Sequence, residues 1–219
     1  AYNPVPAATV GDVTISGSNK EFDAKDITVS LRNVKFNTIA ANTEVNSWFG
    51  SSLPAGLSAE IKNDVAANAD TATITISGTP TAASTEALAI TIPGNNLTSG
   101  ADLTVTSNPN AKFDISLVND VTITAGAGMS TTGNAIQHVN AGSAMTDVVY
   151  TAADGYYFPT DYGTSVSSNG VNVKRDSYSQ VTVYGTPSAD TTITLPAATE
   201  KTKETTPTTA TFTATGYDT

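Results

Sequence analysis

Thr73-Ile-Thr-Ile-Ser-Gly-Thr-Pro-Thr-Ala82, followed by a second alternating run at Ala89-Ile-Thr-Ile-Pro93, sets how the whole chain reads. It returns as Gln180-Val-Thr-Val-Tyr-Gly-Thr-Pro-Ser-Ala189, followed by Thr192-Ile-Thr-Leu-Pro196. Each copy is an alternating strand, a Gly-Thr-Pro corner and a second alternating strand closed by proline; period 2 is the mark of a half-buried strand. A second marker keeps step with the first. Asp12-Val-Thr-Ile15 returns as Asp120-Val-Thr-Ile123, a spacing of 108, and Gly78-Thr-Pro80 returns as Gly185-Thr-Pro187, a spacing of 107. Two anchors that agree within one residue mark an internal duplication of whole-domain size. Between them the copies differ, with 22 residues from Gly56 to Gly78 and 15 from Gly170 to Gly185.

Composition agrees with an all-β chain. Charged residues are only 14% and threonine is abundant, and β-branched side chains lose rotamer freedom in helices while suiting strands. The net charge is −10, which argues against nucleic acid or an anionic membrane surface as a partner, since both select basic patches. The acidity is even: 6 basic against 11 acidic residues up to residue 116, then 4 against 9. No run approaches the length of roughly 18 apolar residues needed for a membrane helix, so no membrane insertion is expected. Cysteine is absent. The chain begins at Ala1 without a basic-apolar leader and reads as a mature or excised fragment.

In order along the first copy, Ala1 to Ala8 is an extended N-terminal segment with two prolines. Strands are expected at Val10–Ile15, Ile27–Phe36 with a slip at Asn33, Leu57–Ile61, the two runs quoted above, Leu103–Thr106 and a closing Ala111–Ile115. Asn42–Gly50 is expected to make one helical turn capped by Asn42 or Thr43. In the second copy strands are expected at Val121–Ala125, Ala135–Val139, Asp147–Ala152, Gly170–Arg175, Gln180–Gly185 and Thr191–Pro196. Asn169-Gly170 reads as a type I′ hairpin turn, Ala197–Thr209 as a long loop or linker, and Thr211–Tyr217 as a last strand mirroring Ala111–Ile115. About seven short strands in about 105 residues is the pattern of an immunoglobulin-like sandwich. Two such sandwiches in tandem are expected, residues 1–116 and 117–219.

Leu53-Pro-Ala-Gly-Leu57 with Ile76-Ser-Gly-Thr-Pro-Thr81 resembles the LPxGL…GTPT pattern of Ig-like and cadherin-like modules of bacterial surface proteins. Ala144-Met-Thr-Asp-Val-Val-Tyr150, Gly155-Tyr-Tyr-Phe-Pro159 and Gly185-Thr-Pro-Ser-Ala-Asp190 resemble repeat domains of large surface proteins from anaerobic, mostly Gram-positive bacteria. The resemblance implies an extracellular, cell-surface location, tandem arrays, and an adhesion or stalk role toward a host or bacterial surface protein or glycan. It carries no catalytic residues.

Candidate sites are few. Trp48 beside Phe49 is either the core aromatic of the first copy or a platform for a sugar ring. Seven of the eight tyrosines lie in the second copy, with Tyr156, Tyr157 and Tyr162 in one eight-residue segment. Alternation puts Tyr156 and Phe158 on one side and Tyr157 on the other, leaving Tyr157 or Tyr162 to face water, where tyrosine makes good binding surface. His138, the sole histidine, has no partner for zinc or a triad and reads as an ordinary strand residue. Asp23, Asp26, Asp64, Asp70, Asp102, Asp154 and Asp161 sit in or near loops without the spacing of a calcium loop. Lys35, Lys112 and Lys174 are the strand lysines open to an isopeptide bond, and Asn96-Leu-Thr98 fits the N-glycosylation pattern. Nucleophile elbows, phosphate loops and a carboxylate pair are missing. No enzyme, no cofactor and no metal are expected. Two alternatives stand beside adhesion: a carbohydrate-binding module of a secreted enzyme, and a filament subunit in which the N-terminal arm or the last strand completes a neighbour's sheet.

Overall fold

A computed structural model describes residues 3–203. The chain is all-β, with two single-turn 3-10 elements at Asn46–Phe49 and Gly94–Asn96 as the described helical content. It divides into two compact units. One holds the residues through Asn119 together with His138–Ser143; the other holds Asp120–Gln137 and the residues from Ala144 onward.

In the first unit the strands are β1 (Ala7–Val10), β2 (Val13–Ser18), β3 (Lys25–Arg32), β4 (Leu57–Ile61), β5 (Thr71–Gly78), β6 (Thr91–Ile92), β7 (Leu103–Thr104) and β8 (Ala111–Ser116). An antiparallel sheet runs β1-β3-β5-β4. That is the A-B-E-D order of one layer of an immunoglobulin sandwich. The alternating residues fall on two faces as their period requires: Ile27, Val29, Ile74 and Ile76 are buried while Thr28 and Thr73 face water. Against this layer packs a second one. There β2 pairs in parallel with β8, and residues 84–88 lie antiparallel along the other side of β8. Phe36, Phe49, Ile90 and Phe113 fill the space between the layers.

Val10–Ile15 is not one strand. It is cut at Gly11-Asp12, so that β1 joins one layer and β2 the other. The N-terminal arm is therefore held by its own unit, with Ala7 to Val10 on β3 and the Val5 carbonyl accepting from Asn33 Nδ2. The slip at Asn33 is a bend. Its φ is +59°, and beyond it Val34 and Phe36 turn inward. The turn at Asn46–Phe49 is capped at Val45, not at Asn42 or Thr43; Thr43 Oγ1 donates instead to the Ala40 carbonyl.

The second unit carries β9 (Val118–Thr124), β10 (Met129–Ser130), β11 (Ile136–Asn140), β12 (Val148–Ala152), β13 (Tyr156–Tyr157), β14 (Val171–Arg175), β15 (Gln180–Gly185), β16 (Thr191–Thr194) and β17 (Thr199–Glu200). Residues 118–119 of β9 and 138–140 of β11 are part of the first unit. Its antiparallel sheet runs β10-β12-β15-β14. Ranked by chain order, both four-stranded sheets read first, second, fourth, third. Asn169-Gly170 makes the expected primed turn, with φ of +47° and +82° and Val171 N–H on the Ser168 carbonyl.

Both sheets share the same glycine contact. Leu57 pairs with Gly78 and Val171 with Gly185, and the Gly56 and Gly170 carbonyls accept from Thr79 and Thr186. All four glycines have positive φ, and a Cβ on Gly78 or Gly185 would collide with the carbonyl oxygen of Gly56 or Gly170. Gly78 and Gly185 are thus required by the carbonyls of Gly56 and Gly170, and Gly56 and Gly170 in turn by the carbonyls of Thr79 and Thr186.

The strands after the two corners do not match. Thr91–Ile92 pairs antiparallel with Leu103–Thr104, whereas Thr191–Thr194 pairs in parallel with Val121–Thr124. Core-facing Val13 of β2 aims its N–H at the β8 side, through the Asn110 carbonyl; core-facing Ile123 of β9 aims at the Ala135 carbonyl, on the β11 side. In L-residue strands, N–H groups of core-facing residues all point to one flank. Hence β16 lies on the opposite flank of β9 from the one β8 takes on β2. Ala197–Thr209 is also more than a loop at its start, since Thr199–Glu200 pairs with Tyr156–Tyr157. The last strand expected at Thr211–Tyr217 lies outside the described residues.

Candidate functional site

Tyr156 and Tyr157 sit on β13, pinned to β17 with Tyr156 opposite Glu200 and Tyr157 opposite Thr199. Tyr156 is half-buried, and its ring occupies the space that a side chain on Gly128 would need. Phe158 is fully buried and meets Tyr162 edge to face, ring centroids 4.7 Å apart. This geometry adds to burial because the positive ring edge meets the negative ring face.

Tyr162 does not face water. The chain turns after Phe158, with Tyr162 N–H on the Pro159 carbonyl, and folds the ring back onto the core. Its hydroxyl donates to the Pro196 carbonyl at 2.6 Å. Burial pushes this phenol up to about 12, because the charged form would lose its hydration. Trp48 is buried as well: Trp48 and Phe49 are 4% and 1% exposed and take the core role. Neither residue offers a ring face to a ligand.

Tyr157 is the one of the four that reaches the surface beside another ring. It stacks on Tyr178, centroids 5.1 Å apart and planes within 13°. Tyr178 is 49% exposed. Its backbone carbonyl accepts from Phe158 N–H, tying the Asp176–Gln180 turn to the tyrosine segment. Lys201 Nζ stands 4.9 Å from the centre of the Tyr178 ring, within cation–π range, and Lys201 N–H bonds the Gly155 carbonyl. Thr199, Glu200 and Thr202 complete the rim of an open depression lined by the ring pair. The result is an exposed aromatic step with one cation, one carboxylate and two hydroxyls around it. It can stack an apolar face and hydrogen-bond what hangs from its edges.

Reading the sequence for sites missed Tyr178, although a tyrosine inside the polar turn Asp176-Ser-Tyr-Ser-Gln180 has no core of its own to enter. That signal was available. The other candidates go elsewhere. His138 is exposed on β11. Lys35 and Lys112 are exposed, with Lys35 paired to Asp70; Lys174 lies 5.3 Å from the Tyr184 ring centre. None of the three is buried as an isopeptide bond would need. Asp64 and Asp102 accept backbone N–H groups of Ala41 and Gly94 and so close turns. Among the described residues no three His, Cys, Asp or Glu side chains come together at metal-binding range. Thr98 Oγ1 accepts from Lys35 N–H.

No family model, curated protein or solved structure matches the chain. The functional reading accordingly rests on the residues themselves. No helix among the described residues is long and apolar enough to cross a membrane.

Proposed function

We propose that this chain is a non-enzymatic adhesion or stalk module of a bacterial cell surface, built from two tandem Ig-like sandwiches over residues 1–116 and 117–219. Its contact surface is the Tyr157–Tyr178 step. The observation that carries this reading is that step itself: two rings stacked at the surface with Tyr178 half in water, where hydrophobic burial would have placed them inside. Tyrosine gives a large contact area at low entropic cost, and strand pairing at β13 and β17 holds the platform before a partner arrives, which spares the cost of ordering it. The partner class is a host or bacterial surface protein or glycan. The LPxGL…GTPT resemblance supports the surface location.

A carbohydrate-binding module is the second reading, favoured by the near-parallel rings with Lys201 and Glu200 beside them. One experiment separates the two. The chain is passed over a glycan array and over immobilised cell-surface protein extracts, as wild type, Tyr157→Ala and Tyr178→Ala. Saturable binding weakened about tenfold or more by either variant, with unfolding unchanged, supports the step as the site. Retention by purified polysaccharide assigns the second reading. Binding that both variants leave intact overturns the site, and absence of binding leaves the stalk role alone.

A further inference from the structure

The chain has no cysteine, and so no disulfide with which to fasten one segment to another. It does carry two phenols in contact. Tyr157 and Tyr178 stack with ring centroids 5.1 Å apart and planes within 13°, one from β13 and the other from the turn between β14 and β15. Both backbones are fixed beneath the rings. Phe158 N–H bonds the Tyr178 carbonyl at 2.9 Å, and Arg175 Nε donates to the Phe158 carbonyl at 2.8 Å. Pairing with Thr199–Glu200 holds Tyr157 from its other side. Tyr178 is 49% exposed, so a small oxidant in solvent reaches the pair. The other described tyrosines lack this setting. Tyr150 and Tyr162 are buried, and the ring contact of Phe158 with Tyr162 has a single hydroxyl. Tyr156 lies against Gly128, and Tyr184 lies under the Lys174 ammonium.

We propose that Tyr157 and Tyr178 form an oxidative cross-linking site, a clasp closed by a carbon–carbon bond between the two rings. The oxidant is a peroxide acting in one-electron steps through a haem peroxidase. Each phenol gives up one electron and one proton, leaving a phenoxyl radical shared with the ring carbons ortho to oxygen. The two radicals couple at those carbons, and each coupled carbon then passes its hydrogen to oxygen, which restores both phenols. The pair has lost two hydrogens in all, and one hydrogen peroxide takes them up as two waters. Stacking places the rings together before the radicals form, so coupling within one chain outruns encounter between copies. The product closes the segment from Tyr157 to Tyr178 into a covalent loop, which restricts the unfolded chain more than the folded one. The inference needs the ring pair alone and does not rest on the binding role proposed above.

Treating the intact chain with hydrogen peroxide and a haem peroxidase tests it. The monomer is expected to lose the mass of two hydrogens and to gain the blue fluorescence of coupled phenols. Its digest should contain one product joining the peptides of Tyr157 and Tyr178, in a yield per chain that does not depend on protein concentration. Tyr157→Phe and Tyr178→Phe keep a ring in each place and should each lower the yield of linked monomer about tenfold or more. The purified linked monomer should unfold at a higher urea concentration than the untreated chain. Monomers without a link, or dimers in their place, overturn the proposal. So does a link between other tyrosines, or a yield that both variants leave unchanged. A linked monomer no more stable than the untreated chain overturns the clasp.

Discussion

The two units keep one layer and rebuild the other. Their four-stranded sheets share strand order, antiparallel sense and the glycine pairs Gly56–Gly78 and Gly170–Gly185. Their second layers differ in which strand runs parallel to the Asp-Val-Thr-Ile strand and on which flank it lies. In the shared sheets the glycine contact leaves no room for a Cβ at Gly78 or Gly185, so only glycine fits there. Tight backbone contacts occur outside those sheets too, at Gly94 on the Gly100 carbonyl and at Gly126 on the Pro196 carbonyl, but these join different segments in the two units.

The largest expected effect tests that contrast directly. Gly78→Ala and Gly185→Ala each force a Cβ against a backbone oxygen at positive φ, and each should cost about 3 kcal/mol through strain and displaced strands. Trp48 is the only tryptophan and sits in the first unit. Its fluorescence in a urea titration should therefore report Gly78→Ala, while the tyrosine near-UV signal reports Gly185→Ala. If either alanine is neutral, the backbone contact is not what the two sheets conserve.

Next is Tyr162→Phe, which keeps the ring against Phe158 but removes the hydroxyl bond to Pro196. The expected loss is about 1 kcal/mol, confined to the second unit. Because burial raises this phenol to about 12 from 10.0, the native state resists losing the proton. Stability is complete below the unfolded value, near pH 10, and falls as pH rises toward 12. Tyr150, raised by burial too, acts in the same direction, so the variant should reduce the alkaline loss without abolishing it. An unchanged alkaline melt would remove Tyr162 from that account.

Tyr178→Ala should leave unfolding within about 0.5 kcal/mol of wild type, as an exposed side chain does. The smallest effect belongs to Asp26, whose carboxyl is held below its usual value by the bond from Lys62 and then by Thr75. A lowered value stabilises above the unfolded pKa and is lost as pH falls through the native one. Both partners are solvated, so Asp26→Asn should cost under about 0.5 kcal/mol at pH 7 and less in high salt. A larger loss would mean that this surface pair ties β3 to the end of β4 more firmly than exposed ion pairs do.

The fold class was legible because threonine-rich period-2 runs leave little choice, and β4, β8, β12 and β15 lie within a residue or two of where alternation puts them. Strand position was legible only where the backbone dictated it. Two runs as alike as Thr91–Ile92 and Thr191–Thr194 took different partners, since pairing depends on what the rest of the layer leaves open. The two-residue strands β10, β13 and β17 are too short to show a period. Trp48 and Tyr162 look no different from Tyr157 in the sequence, because a lone aromatic has no period either; burial separates them, and burial is a property of the packed chain.

Consider finally what the parallel pair β2–β8 does when the first unit is pulled from its two ends. The strands run in the same direction near opposite ends of that unit's chain, over the six paired positions from Val13–Ala111 to Ser18–Ser116. Tension then slides one strand along the other, and the bonds between them share the load instead of opening one after another. In the second unit the matching parallel pair spans four positions. Under the same force the shorter seam shears first, so the order in which the units yield is written in the length of these two ladders.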